Sequence, residues 1–369
     1  MKRKLSIWLL LVVLIISGCN PRQVPGVDRS LEPDEHGYLA LQWIEHIQNY
    51  LPSRLAFSNR ELETAEWIVA TLLEIGFDEL QIKMQIFSYD DETSSWWESA
   101  SNQVRIYELL GFYDELKRLD YSQNVILTIP GRSAETIIIG AHYDSVGFPG
   151  ISDNAGGIVL LLESAYRMRR VDHYYTLQYI FFGAEEVGLI GSFYFAYHMS
   201  QEEIDNLILM INADVMMDGP ELIYAVAYFE ELPAIPSDIM RGEADRKRRG
   251  IEILQNDITA QIERIASLLN RRNRTELISM PDGVTLASDQ LAFLQFGVPA
   301  MVFYSTHPID SPELIPNAIE TSEMLVGDVL HTERDCLDFL RANHPGRVER
   351  ALNQFGLFLE EVISSEFVQ

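Results

Sequence analysis

Seven side chains that can bind a metal ion or transfer a proton follow apolar runs of the sequence or lie in the loops between them. They are His142, Asp144, Asp153, Glu185, Glu186, Asp214 and His331. Taken singly, each has a commoner structural explanation: an aspartate ahead of a helix, such as Asp153, usually caps it, and paired glutamates in a first helical turn usually face water. Together, so many acids and imidazoles would repel one another without compensating Lys or Arg, unless cations lay among them. The combination therefore predicts a metal site, with Glu185 and Glu186 facing the metal.

The elements that position these side chains follow from the hydrophobic pattern. Short apolar segments predict strands, and segments with helical periodicity alternate with them. The predicted strands span residues 81–88, 125–129, 136–139, 177–182, 207–211 and 298–304, and the predicted helices include 155–168, 187–198, 258–269 and 347–364. This alternation predicts an α/β fold, a three-layer α/β/α sandwich with a mostly parallel central sheet. Ligands of such sheets bind beyond the carboxyl ends of the strands, so the seven side chains are expected at one rim.

Two further helices are predicted ahead of these elements. Periodicity begins near Tyr38, and Ser58 followed by Glu61 reads as a capping box at the start of the next helix. Gly76 stands where that helix should end. No repeat and no linker divides residues 36–369, which we predict to form a single domain.

The segments that contain the seven side chains resemble the M28 family of zinc peptidases, the dizinc aminopeptidases. The similar segments, in the order of the family, are GAHYDSV, SDNAGG, FFGAEEVGLIGS, INADV, SDQLAFLQFGVPA and LHTERDCLD, and PSRLAFSNRELETAEWI lies closer to the amino terminus. The main resemblance runs from about Val125 to Leu340. It implies the zinc-exopeptidase (phosphorylase/hydrolase-like) fold and a metallo-aminopeptidase, a hydrolase that removes amino-terminal residues from peptide substrates.

The resemblance also implies a ligand set for two zinc ions. Asp153 would bridge both ions, His142 and Asp214 would complete the ligands of one, and Glu186 and His331 would complete those of the other. Zinc accepts imidazole nitrogen and carboxylate oxygen and keeps a position open in catalytic sites. Two zinc ions close together can share a hydroxide and stabilise the oxyanion of the tetrahedral intermediate.

The remaining implied roles concern proton transfer and positioning. Glu185 would be the general base that takes a proton from the attacking water and passes it to the leaving amine. Asp144 would accept a hydrogen bond from the ring of His142 and so fix its tautomer. The peptide bond between Asp153 and Asn154 would be cis.

Departures from the family pattern leave the preferred substrate open. Leu330 stands where relatives often have a tyrosine whose hydroxyl can help the oxyanion, and VMMDG after Asp214 differs from the commoner sequence. One alternative function is that of a glutaminyl cyclase, an acyltransferase of the same fold with a single zinc ion. Cyclases tend to have serine at the position of Asn154 and tryptophan at that of Leu330. A second alternative is a non-catalytic binding lipoprotein.

The first 35 residues predict export and anchoring rather than structure. Three cations, Lys2 to Lys4, precede an apolar stretch over residues 5–16 that is too short to span a bilayer, so residues 1–18 are predicted to be a signal peptide. The ISGC sequence ending at Cys19 resembles the lipobox of bacterial lipoproteins, although an ordinary signal peptide with a chance cysteine is the alternative. Residues 19–35 would then be a lipidated tether, and the protein would lie in the bacterial cell envelope, anchored to a membrane.

The composition narrows the possible partners. There are 55 Asp and Glu against 28 Lys and Arg, a formal net charge of −27. Such a surface repels nucleic-acid backbones, so no nucleic-acid partner is expected. The chain has 2 cysteines, and lipidation of Cys19 would leave Cys336 without a disulfide partner.

Overall fold

The computed structural model describes residues 31–88, 96–114, 116–227, 251–280, 287–306 and 329–367. The predicted signal peptide, the lipidation site at Cys19 and the first part of the predicted tether lie outside the described residues. None of the helices in the described ranges has both the length and the apolar character required to cross a bilayer.

The described strands form one sheet of mixed direction. They are β1 (Ile82–Ser88), β2 (Tyr121–Ile129), β3 (Thr136–His142), β4 (Thr176–Phe182), β5 (Leu207–Ala213), β6 (Glu221–Ala227), β7 (Leu277–Ser279) and β8 (Ala300–Thr306). Their order across the sheet is β1-β2-β4-β3-β5-β8-β6-β7. The four central strands β4, β3, β5 and β8 are parallel. The pairings β1–β2, β2–β4 and β6–β8 are antiparallel, so the predicted parallel sheet is confirmed at the centre, and the flanks mix both directions.

The helices pack on both faces of this sheet. They are α1 (Tyr38–Tyr50), α2 (Asn59–Glu74), α3 (Trp96–Leu109), α4 (Gly156–Met168), α5 (Ile190–Tyr197), α6 (Gln201–Asn206), α7 (Ile251–Arg271), α8 (Gln290–Leu294), α9 (Leu337–Asn343) and α10 (Arg347–Ile363). Residues of α1, α2, α4, α7 and α10 share one hydrophobic core with the sheet, and residues of α5 and α8 form a second core on the other face. The predicted three-layer α/β/α architecture is therefore confirmed.

The central strands are largely buried. Every residue of β5 and β8 is buried. Strands covered on both faces have continuous apolar runs instead of alternation, which is why LILMINA and AMVFYST read as strands. On one face, Phe303 of β8 stacks on Phe355 of α10 with ring centroids 5.3 Å apart. The carboxyl ends of these strands are thus held by a rigid core.

The start of α2 agrees with the sequence pattern only in part. Ser58 Oγ accepts a hydrogen bond from the backbone N–H of Glu61, as an N-cap should, and Gly76 follows the helix with a φ of +105°. The capping box also requires the Glu61 carboxylate to accept a hydrogen bond from the backbone N–H of Ser58, and this part of the prediction is wrong. The Glu61 carboxylate is buried and accepts hydrogen bonds from the N–H of Phe57, the Ser122 hydroxyl and the N–H of Ala184.

Other differences lie where the pattern was irregular. The helix predicted over 187–198 begins only at Ile190, because Ala184, Gly188 and Leu189 have positive φ values and form a turn after β4. The strands β6 and β7 and the helices α3, α6, α8 and α9 were not predicted. Residues 184–189 contain the glutamate pair, so this turn belongs to the candidate site.

Candidate metal centre

Three neighbouring strands deliver metal-capable side chains to one edge of the sheet. His142 is the last residue of β3, the pair Glu185-Glu186 follows β4 after two residues, and Asp214 directly follows β5. These strands run parallel with β3 in the middle, and His142 is in register with Phe182 at the end of β4. Their carboxyl ends therefore meet, as expected for the ligand-binding edge of an α/β sheet.

A first group of three ligand atoms forms around His142. Its Nε2 atom lies 3.0 Å from Oδ1 of Asp153 and 3.1 Å from Oδ1 of Asp214. All three side chains are buried, and their ligand atoms lie within 4.8 Å of one another. One imidazole and two carboxylates at this spacing can hold a divalent ion.

A second group shares Asp153 with the first. The Nε2 atom of His331 lies 3.0 Å from Oδ2 of Asp153 and 3.2 Å from Oε2 of Glu186. These three ligand atoms also lie within 4.8 Å of one another. The two oxygens of Asp153 thus face different groups. Half of the His331 side chain is exposed, so the second group faces solvent.

Glu185 lies beside both groups. A further combination of His142, Glu185 and Glu186 has ligand atoms within the same 4.8 Å. Burial is the main cause that raises the pKa of Glu185 well above its usual range, and the neighbouring carboxylate of Glu186 adds to it. A general base or acid works best with a pKa near the working pH, and burial shifts the pKa of Glu185 upward from its usual range, in that direction.

The pKa values of the side chains in the two ligand groups indicate whether a cation would be stable between them. Burial raises the pKa of Glu186 to about 7, and the Glu186 carboxylate raises the pKa of His331 to about 12. Oε1 of Glu186 is buried without a hydrogen-bond partner among the described residues. Without a metal, the carboxylates are thus neutralised mainly by protons and by charged imidazoles. Imidazole nitrogens together with buried carboxylates form the donor set that zinc prefers, so the residues fit a divalent metal.

Asp144 holds the turn that contains the glutamate pair. Its two carboxylate oxygens accept hydrogen bonds from the backbone N–H groups of Glu185 and Glu186, each at 3.0 Å. Oδ1 of Asp144 also lies 3.5 Å from Nδ1 of His142, which is longer than a good hydrogen bond. The hydrogen bonds that the structure gives Asp144 therefore go to the glutamate turn rather than to the ring of His142.

Asp335 holds the turn that contains Asp153. Its carboxylate accepts hydrogen bonds from the N–H of Ser152 at 2.6 Å and from that of Asp153 at 3.0 Å. The amide of Asn154 donates to the carbonyl of Ala213 on β5 and accepts from the N–H of Gly157. The peptide bond between Asp153 and Asn154 is cis, which confirms that expectation. The turn is thus tied to the end of β5 and to the segment ahead of α9.

Buried charges next to the site were missed in the sequence. Asp218 accepts hydrogen bonds from the N–H groups of Val329 and Leu330 and so holds the segment that leads into His331. Arg54 is fully buried, yet its guanidinium donates to the carbonyls of Leu51, Tyr143, Pro149 and Gly150 instead of to carboxylates. The expectation that no Lys or Arg accompanies the acids is therefore wrong for Arg54, although this arginine forms no ion pair with them in the described residues.

Asp289 is a further buried acid that sequence reasoning did not identify. Both carboxylate oxygens are buried without a hydrogen-bond partner in the described part of the chain, and burial raises the pKa to about 7. Asn212 of β5 donates to Ser288 and Gln290 on either side of it, which places Asp289 beside the strand end that leads to Asp214. Its segment, SDQ, was part of the resemblance, but no strand precedes it to draw attention to the acid.

Comparisons with known proteins agree with the geometry. The model of "Peptidase family M28" matches residues 124–356, well over half of the chain. The chain is 37% identical over 83 residues to "Aminopeptidase YwaD" of Bacillus subtilis (22% of this chain, 18% of the relative). It is 37% identical over 98 residues to "Probable lipoprotein aminopeptidase LpqL" of Mycobacterium tuberculosis (26% of this chain, 20% of the relative). The matched segments thus span about a fifth of the length of these relatives.

Solved structures show the same fold. BSAP, a zinc aminopeptidase from Bacillus subtilis, superposes with a TM-score of 0.61 at 17% identity over 92% of this chain and 98% of that one. A glutaminyl cyclase from an Acidobacteriales bacterium superposes with a TM-score of 0.57 at 16% identity over 93% and 99% of the two chains. The chain belongs to peptidase family M28, which confirms the predicted membership of a hydrolase family.

Proposed function

We propose that this chain is a zinc-dependent aminopeptidase that hydrolyses amino-terminal residues from peptides. One observation supports it above all: two groups of three ligand atoms share Asp153, with Glu185 beside both. One zinc ion would be held by His142, Asp153 and Asp214, and the other by Asp153, Glu186 and His331. Zinc ions bound there would polarise the scissile carbonyl and lower the pKa of the attacking water.

Glu185 is the proposed general base. A hydrogen bond from its backbone N–H to Asp144 holds the main chain of Glu185 in the turn after β4. The raised pKa, caused mainly by burial, suits a group that takes a proton from water and gives it to the leaving amine. The surrounding carboxylates would also hold the positively charged amino terminus of a peptide, which favours removal of the first residue over internal cleavage.

The alternatives differ in metal content. A glutaminyl cyclase would hold a single zinc ion, and the shared fold alone does not separate the two functions. Asn154 favours the peptidase, because its amide makes two hydrogen bonds at opposite ends, to Ala213 and Gly157, which a shorter serine side chain could not span. A binding lipoprotein without activity would keep the zinc and hydrolyse nothing.

We also propose the organisation predicted from the sequence. Residues 1–18 would be a signal peptide, residues 19–35 a tether lipidated at Cys19, and residues 36–369 a single peptidase domain in the cell envelope. The similarity to a probable lipoprotein aminopeptidase supports this location.

The test is Glu185→Gln measured beside the wild type. We expect the wild type to hydrolyse leucine anilide and to bind two zinc ions per chain. Its hydrolysis activity should be lost when zinc is removed. The variant should keep both ions and lose about 10²–10⁴-fold in kcat, the usual contribution of a positioned base. A variant with full activity would refute the assignment of the base. One ion per chain with cyclisation of amino-terminal glutamine would favour the cyclase, and zinc without turnover of any peptide would favour the binding protein.

A further inference from the structure

A buried cluster, called here the wall cluster, connects the two groups of the metal centre. Its members are Val215, Ile223, Ala225, Met280, Val302, Tyr304 and Leu330. Val215 directly follows Asp214, and Leu330 directly precedes His331. The wall cluster therefore adjoins one proposed ligand of each zinc ion.

Tyr304 contributes the single polar side-chain group of the wall cluster. Its side chain is 5% exposed, and its hydroxyl is buried without a hydrogen-bond partner among the residues that the structure describes. A buried hydroxyl without a partner has lost its bonds to water and gained none in return. Burial raises the pKa of Tyr304 to about 12, so the hydroxyl keeps its proton at neutral pH.

The backbone around Tyr304 is fixed relative to Asp214. The N–H of Asp214 donates to the carbonyl of Phe303 at 3.0 Å, and the N–H of Ser305 donates to the carbonyl of Val215 at 3.0 Å. Side chains alternate between the two faces of a strand, so Tyr304 points away from the face where Phe303 packs on α10. The hydroxyl is thus held on a rigid element beside the site, as a recognition group should be.

The wall cluster is slightly less shielded than the main core. Val215, Ala225, Met280, Tyr304 and Leu330 each remain 5% or 6% exposed. The main core under α4 consists mostly of residues that are fully buried. The wall cluster is therefore a buried apolar patch with a small exposed edge, and it adjoins Asp214 and His331.

We propose that Tyr304 determines specificity by hydrogen-bonding a polar atom at the tip of the first side chain of the substrate. The inference rests on the proposed aminopeptidase function and names its substrate class: peptides whose first residue has an apolar body and a hydrogen-bonding tip, as tyrosine has. The other members of the wall cluster would contact the apolar body. A site built to bond a substrate hydroxyl discriminates against the analogue that lacks it.

The experiment compares tyrosine and phenylalanine anilides, which differ by one hydroxyl, on the wild type and Tyr304→Phe with zinc present. We expect the wild type to prefer the tyrosine substrate and the variant to reduce the tyrosine-to-phenylalanine ratio of kcat/KM by about 3–10-fold, the effect of one hydrogen bond. Hydrolysis of leucine anilide should change less than twofold. Tyr224→Phe, on the neighbouring strand and outside the wall cluster, is the matched control and should leave the ratio unchanged.

Each outcome separates the inference from the proposed function. If the wild type hydrolyses no anilide, the proposed function fails. If it hydrolyses leucine anilide but Tyr304→Phe leaves the ratio unchanged, only the inference is overturned. A uniform loss on all three substrates would place the hydroxyl in the chemical step and also overturn it. The melting temperature gives an independent check: the variant should be no less stable than the wild type, and a clear drop would show that the hydroxyl serves the fold.

Discussion

Two buried glutamates, one in a helix layer and one at the strand ends, are held in opposite ways. Glu163 of α4 accepts hydrogen bonds from the N–H groups of Gly37 and Ala40 at 2.9 Å each and pairs with Arg167. Glu186, beyond β4, has one oxygen without a partner among the described residues and the other beside His331. Both are almost fully shielded from water, so the difference lies in their partners.

The comparison separates structural acids from acids that require a cation. A buried carboxylate is tolerated when donors and a counter-charge surround it. Glu163 has both and joins the start of α1 to α4, so it completes the fold by itself. Glu186, Asp153 and Asp214 face one another and two imidazoles. The buried Arg54 lies nearby but forms no ion pair with them in the described residues, so protons or a bound metal must balance most of their charge. Asp335 is intermediate: it lies at the site, but its oxygens are satisfied by backbone N–H groups.

Among the substitutions that test this comparison, Glu163→Gln is expected to have the largest effect on stability. The amide would point a donor at the N–H groups of Gly37 or Ala40 and leave Arg167 without its counter-charge. We expect the free energy of unfolding to fall by about 3 kcal/mol, as for other broken buried pairs. The loss should be equal with zinc and with chelator, and kcat of the folded enzyme should not change.

Urea unfolding in the presence of zinc and of chelator measures this. Glu45→Gln is the matched control, because Glu45 forms an exposed pair with Arg341 that should contribute less than about 1 kcal/mol. A change in zinc affinity on Glu163→Gln would show that the helix layer and the strand ends are not separate in the way proposed.

A smaller effect, confined to the metal centre, is expected for Asp335→Asn. One of the two N–H groups of Ser152 and Asp153 would face an amide donor, and the turn that presents Asp153 would lose its anchor. We expect zinc affinity to fall about 10–100-fold, as is usual when groups that orient a ligand are changed. Zinc titration against a competing chelator measures it, with Asp338→Asn, an exposed acid at the start of α9, as control. An unchanged affinity would mean that the turn holds its shape without Asp335.

The sequence predicted the centre of the fold, and it proposed seven site residues that the structure brings close together, because both inferences depend on local patterns. Apolar runs mark the strands, and the polar residue that follows each run lies at the sheet edge. This placement does not depend on distant parts of the chain. His142 and Asp214 were found in this way, and the resemblance to the family then ordered the roles. The edge strand β7 and its neighbour β6 were missed, and β7 has only three residues.

The residues that hold the loops could not be predicted from local patterns. Asp335 bonds to residues about 180 positions away, and Asp218 bonds to residues about 110 positions away. Glu61 looked like half of a capping box, and only the tertiary structure brings Ala184 to it. The sequence does not show whether an acidic residue accepts hydrogen bonds from its own helix or from a distant loop. The partners of these acids can therefore be identified only from the three-dimensional structure.

The smallest effect is expected for Asp289→Asn, and it has the opposite sign to that of Glu163→Gln. The pKa of Asp289 is raised by burial from 3.8 to about 7. The folded state therefore binds the proton more tightly than the unfolded state, and stability falls as pH rises from about 4 to about 7, where the folded protein must bury the charge. Removing this acid should stabilise the metal-free protein at pH 8 and have no effect at pH 4.

Thermal or urea unfolding of the metal-free protein at the two pH values measures this difference. Bound zinc should reduce it, because a nearby cation stabilises the charged form of Asp289. A loss of stability at pH 8 would mean that the carboxylate has a partner after all, and Asp289 would then belong with Glu163 among the structural acids. A gain that depends on both pH and zinc would place Asp289 with the acids at the strand ends, whose charges the fold tolerates because a metal is bound.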